Sequence, residues 1–338
     1  MSLIASWLAP LLLTQSSINI LQQTDSCPER AVVTPTQSLT REALCALAQE
    51  AADRNSDALF VSVNGQPVVD WRPVDAPEEI HVMSVTKSVA ALAIGRILLE
   101  GNLDNLDMQV GQFFPEWRQG RKDSITLRHI LTHTSGLQDI PNAGVEIEPA
   151  PDAVQLALTA ELESAPGTEF KYNNKAVNLI AGIVQRIVER PLDQYLSETV
   201  FRDLDIVDVD WIHDPSDNPY AMAGLIISAT DLAKLGQLML NGGKWNGRPV
   251  VDSAFVARST QSQHDLYPGH GFLWWLMMND ESESAAPAGF YGNGWLGQWL
   301  VVIPSANLVA VRLIDRSSWT GEKDSFSDFR ERVRAITP

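Results

Sequence analysis

The chain has 338 residues, 45% of them hydrophobic and 20% charged, enough apolar material for one large core or two coupled ones. Acidic residues outnumber basic ones 42 to 25, a formal net charge of −17, and no Lys- or Arg-rich run interrupts that balance. Nucleic acid is therefore excluded as an expected partner, because a phosphate backbone needs a cationic track.

The first feature is the apolar run "LIASWLAPLLL" at residues 3–13, followed by "TQSS". It is too short to span a bilayer and fits the core of an export signal. The alternative is a docked N-terminal helix, because no Lys or Arg precedes Arg30. Residues 1–26 are read as a leader and residues 27–338 as one domain, exported to the periplasm or beyond, with the cytoplasm as the alternative. No stable membrane span is expected.

Cys27 and Cys45 are the only cysteines, too few for a disulfide scaffold and too dispersed for a zinc site. In an exported chain they would pair; in the cytosol they would remain two buried thiols. The six histidines form no metal-binding pattern, and His129 and His133 read as satisfied structural histidines in a short helix. Neither a metal nor another cofactor is expected.

Thr40 caps a predicted helix running to about residue 54, and "ALFVSV-NG-QPVVDW" (58–71) predicts two strands around an Asn64-Gly65 turn. Between about residues 84 and 240 the helical period dominates. Val177, Ile180, Ile183, Val184, Ile187 and Val188 share one face before Pro191, and "ATDLAKLGQLML" (229–240) stops at Asn241-Gly242-Gly243. At the far end "QWLVVI" (298–303), the turn "PSAN" and "LVAVRLID" (308–315) predict a second antiparallel pair, followed by a charged helix over 327–336. The expected fold class is α/β (α+β): an antiparallel sheet built from both chain ends, flanking helices, and a mostly helical insert over about 84–222. A cleft is expected where insert and sheet meet.

"HVMSVTKSVA" (81–90) opens one of these helices. Ser84 and Lys87, three apart, are neighbours on a helix, and the apolar run from Val89 to Leu99 buries the rest of it. A serine hydroxyl needs a base to become a nucleophile, and a lysine becomes that base only when its pKa is lowered. The helix's positive end favours a developing alkoxide. S-x-x-K alone is expected about once by chance in a chain of this length. Two later segments add weight: "PGTEFKYNN" (166–174), with Tyr172 and Asn174, and the glycine-rich strand entry "YGNGWLGQWLVVIP" (291–304).

With these three motifs in this order, the chain resembles the serine β-lactamase and penicillin-binding superfamily. The branch is the one containing class C β-lactamases, DD-peptidases, family VIII carboxylesterases and 6-aminohexanoate-dimer hydrolases. The resemblance extends from about residue 45 to 315 and includes "LRHILTHTSGLQD" (127–139) and "AGLIISATDLAKLGQLMLNGGKWNGRPVV" (223–251). It implies a serine hydrolase working through an acyl-enzyme on a small ester or amide, with a β-lactamase, a DD-peptidase or a non-catalytic ligand binder as the alternatives.

By the same resemblance Ser84 is the acylated nucleophile, Lys87 its activating partner and Tyr172 the proton shuttle, while Asn174 holds substrate or the lysine. Gly292-Asn293-Gly294 takes the place of the third motif, and the Trp295 amide joins that of Ser84 as an oxyanion hole. Relatives commonly carry Lys or His in that motif; Asn293 donates a hydrogen bond but carries no charge. That departure points towards neutral esters unless Arg312 or Arg316 supplies the cation. Of the tryptophans, Trp274, Trp275, Trp295 and Trp299 are the candidates to line the cleft, and Trp211, Trp245 and Trp319 read as packing and surface anchors.

Overall fold

The computed structural model describes residues 27–278, 286–321 and 324–337, and within them twelve strands, most of them near the two chain ends, flank a largely helical middle. The leader expected at residues 1–26 and the "ESES" segment at 281–284, whose charge predicts a solvated loop, lie outside the described residues. Strands β1 (Val32–Val33), β2 (Ala58–Val63) and β3 (Gln66–Trp71) come from the N-terminal end, with helix α1 (Arg41–Asp53) between the first two. Next are β4 (Glu79–His81), helix α2 (Val85–Leu99), β5 (Val209–Trp211), β6 (Leu225–Ser228), β7 (Lys244–Trp245) and β8 (Arg248–Pro249). The C-terminal end supplies β9 (Trp275–Met277), β10 (Gly289–Gly294), β11 (Gln298–Ile303) and β12 (Leu308–Leu313).

The main sheet has the order β1-β3-β2-β12-β11-β10-β9, so β2 from one chain end pairs antiparallel with β12 from the other. This is the sheet from both termini that the sequence predicts. Every residue of β2, β11 and β12 is buried, and their alternating side chains serve two cores. Phe60, Leu300, Val302, Val309 and Val311 face the helix Ala229–Leu240 and α2. Leu59, Val61, Val301 and Ala310 face α1 and the helix Phe329–Ile336.

The local signals behave as their chemistry requires. The Thr40 side chain accepts from Ala43 N–H at the head of α1. Asn64 and Gly65 both take positive φ, 53° and 73°, as a two-residue turn between twisted strands demands. Cys27 and Cys45 form a disulfide that ties the start of the described chain to α1.

Three expectations need correction. The stretch predicted to be helical holds β5 and β6, which join β4 in a second, three-stranded sheet. Strands of three and four residues, "VDW" and "LIIS", are too short to show a period, and "LIIS" runs directly into the next helix. Val177 closes a separate helix, Asn174–Val177, and does not share the helix Leu179–Val188. Strand β12 stops at Leu313 and not at 315, because side chains replace the ladder there: Ile314 N–H donates to Gln298 Oε1 and Asp315 N–H to Asp57 Oδ2.

Candidate active site

The chain reaches Ser84 through a sharp turn. Val82 N–H still donates to Leu225 O at 3.0 Å, extending the β4–β6 pairing, and Met83 then takes φ 50°, a left-handed conformation unfavourable for a long side chain. Ser84 follows as the N-cap of α2. Nearly all of α2 is buried, as expected of a helix that is apolar all round, and the lysine in its first turn is buried with it.

Lys87 is 3% exposed, and its Nζ lies 2.9 Å from Ser84 Oγ and 2.8 Å from Met222 O. Asn178 Oδ1 accepts from Met222 N–H at 3.1 Å, and Thr86 Oγ1 accepts from Leu225 N–H, so the carbonyl that receives the lysine is itself anchored. Burial pulls the Lys87 ammonium down to about 7, against the opposing pull of Asp139. A substantial fraction of Lys87 is thus neutral near pH 7 and able to accept a proton.

Tyr172 completes the group. Its hydroxyl shares a hydrogen bond with the Ser84 side chain, and its ring lies 4.9 Å from Lys87 Nζ. Burial pushes the phenol up to about 12, outweighing the Ser84 hydrogen bond, so Tyr172 keeps its proton where Lys87 loses one. Asn173, the next residue, caps the helix Asn174–Val177 by accepting from Ala176 N–H at 2.7 Å. Asn174 N–H and Lys175 N–H both donate to the Asp139 carboxylate, at 3.2 and 3.1 Å. The hydrogen bonds of Lys87 go to Ser84 and Met222, and none among the described residues joins it to the Asn174 side chain.

The third motif lies against the same helix turn for a steric reason. A Cβ on Gly292 would come 3.0 Å from Val85 Cγ1, and one on Gly294 would come 2.6 Å from Val82 O and 3.1 Å from Met83 Cβ. Only glycine lets β10 approach the nucleophile turn this closely. Among the described residues, the backbone N–H groups of Ser84 and of Trp295, just beyond β10, donate to no carbonyl. Asn293 Nδ2 donates to Gln298 O at 3.4 Å.

Arg312 is not the missing cation of the cleft. It is fully buried, and all five of its N–H groups are taken, by Ser56 Oγ, Leu296 O, Gly297 O, Arg54 O and Ser325 Oγ. It holds the turn after the third motif from behind. Arg316 is exposed, its guanidinium 5.8 Å from the Trp295 ring.

Of the candidate cleft tryptophans, Trp274 and Trp299 are buried in the two cores and are reassigned to packing. Trp275 is half-buried and stacks on Tyr172 at 5.9 Å, and Trp295 is 41% exposed. His129 is the structural histidine expected, closing a capping box with Thr126. His133 is not: it lies past the helix Leu127–Leu131, with φ 57° and a buried Nε2 that has no partner among the described residues. Sequence reasoning also missed Asp139, whose sequence signal is only its place at the end of "THTSGLQD".

A hydroxyl, a buried amine of lowered pKa and a protonated phenol at the head of one core helix, on an antiparallel sheet closed by both chain ends, define a serine hydrolase that works by acyl transfer. A model of the Beta-lactamase family matches residues 44–331. The 6-aminohexanoate-dimer hydrolase of Paenarthrobacter ureafaciens is 25% identical over 337 residues, spanning 88% of this chain and 83% of that protein. Esterase EstB of Burkholderia gladioli is 29% identical over 160 residues, 42% of this chain and 40% of that one. The crystal structure of a penicillin-binding protein homologue from Caulobacter crescentus superposes with a TM-score of 0.70 at 19% identity, over 90% of this chain and 99% of that chain. The chain belongs to the Beta-lactamase family.

Proposed function

We propose that the protein hydrolyses small neutral esters, and amides of similar size, through an acyl-enzyme on Ser84. The observation that carries this reading is the 2.9 Å approach of Lys87 Nζ, drawn down to about 7, to the Ser84 hydroxyl. Lys87 takes the Ser84 proton as Oγ attacks the acyl carbon. The Ser84 and Trp295 amides hold the oxyanion, each contributing about 3–4 kcal/mol in comparable sites. Tyr172 gives its proton to the leaving oxygen or nitrogen and regains one from the Lys87 ammonium. Water then attacks the acyl-enzyme with the same groups running in reverse.

The preference for neutral substrates rests on charge. Asn293 carries none, and Arg312 is committed to five acceptors elsewhere. Trp275 and Trp295 offer apolar walls, and Asn174 and Asn293 are assigned to substrate binding. The second reading, a carboxylate-bearing substrate such as a β-lactam or a D-Ala-D-Ala peptide, draws on Arg316 beside Trp295. We also assign the protein to an oxidising compartment outside the cytoplasm, a reading supported by the Cys27–Cys45 pair.

The test is a hydrolysis panel of p-nitrophenyl acetate, p-nitrophenyl butyrate, nitrocefin, a D-Ala-D-Ala peptide and a linear amide oligomer. The two esters should show the highest kcat/KM. A higher value for nitrocefin than for either ester would overturn the neutral-ester reading in favour of Arg316 as the carboxylate partner.

A further inference from the structure

His133 holds the chain on both sides of Tyr172. Its carbonyl accepts from Lys171 N–H at 2.9 Å, and its Nδ1 accepts from Asn173 N–H at 3.2 Å. The imidazole packs against the phenol ring between those two bonds, centroid to centroid 4.6 Å. One residue thus contacts three consecutive ones.

The conformation this requires is costly. His133 sits at φ 57°, a left-handed backbone that an ordinary side chain rarely adopts, and it is 2% exposed. Because Nδ1 accepts, the ring is the neutral tautomer with its proton on Nε2. That Nε2 has no partner among the described residues, so the ring is held by the Asn173 bond and by packing against Tyr172, Phe170 and His270. An imidazole kept in a strained backbone, with its far nitrogen unsatisfied, is accounted for by what its near nitrogen does.

We propose that His133 is a positioning residue for Tyr172: by gripping residues 171 and 173 with one carbonyl and one ring nitrogen, it fixes the phenol against Ser84. The inference rests on the reading of Tyr172 as the proton shuttle. The histidine touches neither Ser84 nor the reacting atoms in this role; it acts through the tyrosine. Proton transfer is sensitive to such placement, and a displacement of about 1 Å costs on the order of 100-fold in rate.

The experiment compares His133→Asn with His133→Gln, because asparagine places an acceptor oxygen near the position of Nδ1 and tolerates left-handed backbone, whereas glutamine carries its amide out towards the position of Nε2. Both are measured on p-nitrophenyl butyrate, alone and in a Tyr172→Phe background, with fluorophosphonate labelling of Ser84 and thermal melting as checks on folding. His133→Gln should lower kcat on the order of 100-fold with little change in KM, and His133→Asn should stay within about tenfold of wild type. In the Tyr172→Phe background, His133→Gln should cost little more, since the group it positions is gone.

Where the glutamine variant does not fold, His133→Ala makes the same comparison by removing the acceptor outright. A folded glutamine or alanine variant with wild-type kcat overturns the proposal, and so does an undiminished loss in the Tyr172→Phe background. Wild-type turnover in Tyr172→Phe alone has a different meaning: it would refute the shuttle role of Tyr172, on which the proposal depends.

Discussion

A Cβ added to Gly294 would sit 2.6 Å from the carbonyl oxygen of Val82, two residues before the candidate nucleophile. The strand that carries the third motif and the turn that presents Ser84 are therefore in backbone contact, and the Trp295 amide inherits its position from that contact. Gly294→Ala must push the two apart. The expected result is a fall in kcat of about 100-fold or more, the scale of losing one oxyanion donor, with Ser84 still in place. Steady-state kinetics with a melting curve check it, and an active Gly294→Ala would remove Trp295 from the oxyanion hole.

The Lys87 value of about 7 fixes a pH profile. Below it the amine is protonated and cannot accept the Ser84 proton, so kcat/KM for a neutral ester should fall as pH drops and reach a plateau above about 8. Lys87→Ala should lose about 100- to 10,000-fold in acylation. A profile that stays flat from pH 5 to 9 on a non-ionising ester would contradict the assignment.

Two of the buried imidazoles, His133 and His270, should weaken the fold in acid. Burial holds His133 well below its ordinary 6.5 and His270 at about 3, so both are neutral in the folded chain and charge on unfolding. A depressed folded pKa contributes stability that is complete above 6.5 and lost as pH falls below it. Each histidine adds a slope approaching 1.4 kcal/mol per pH unit in that window. Urea melts between pH 7 and 4.5 measure the slope, and His270→Gln should make it shallower.

Arg312 is expected to matter for stability and not for substrate choice. Arg312→Met takes the donor from Ser56 Oγ, Leu296 O, Gly297 O and Ser325 Oγ, leaving only Arg54 O with a second donor in Ser325 Oγ, and should cost about 3–5 kcal/mol. Because two of those acceptors are Leu296 O and Gly297 O, the turn carrying Trp295 should loosen and kcat should fall for esters and nitrocefin alike. A selective loss of nitrocefin hydrolysis would mean that Arg312 reads the substrate carboxylate after all.

The uncharged third motif predicts a gain of function. Asn293→Lys or Asn293→His places a cation at the edge of β10 and should raise the nitrocefin-to-butyrate ratio of kcat/KM about tenfold, the worth of one exposed charge pair of about 1 kcal/mol plus a hydrogen bond. Arg316→Ala should leave the ester rate within about twofold, since no step of ester hydrolysis needs that charge. A large ester defect in Arg316→Ala would place the arginine at the reacting centre.

Legibility in the sequence followed element length and chemistry. The hairpin at Asn64-Gly65, the capped helix α1 and the paired end strands were readable because each carries a long period or an obligatory turn residue. Strands β5 and β6 were not, being three and four residues long. Ser84, Lys87 and Tyr172 were found through spacing and resemblance, and the structure brings them together. His133 and Asp139 act on backbone N–H groups some 35 to 40 residues along the chain, at Asn173, Asn174 and Lys175, and no local pattern encodes such a contact. Trp274, just before β9, packs into one core and Trp299, on the central strand β11, into the other, whereas Trp275 reaches Tyr172; sequence alone does not say which face of a sheet buried on both sides a tryptophan takes.

The central claim is an acyl-enzyme on Ser84, and its most direct test is mass spectrometry of Tyr172→Phe quenched during turnover of p-nitrophenyl butyrate. With the proton shuttle removed, deacylation should slow and a butyryl adduct should accumulate on the peptide that carries Ser84, absent from the Ser84→Ala protein. Turnover by Ser84→Ala at the wild-type rate, or a butyryl adduct on any other residue, would contradict the account.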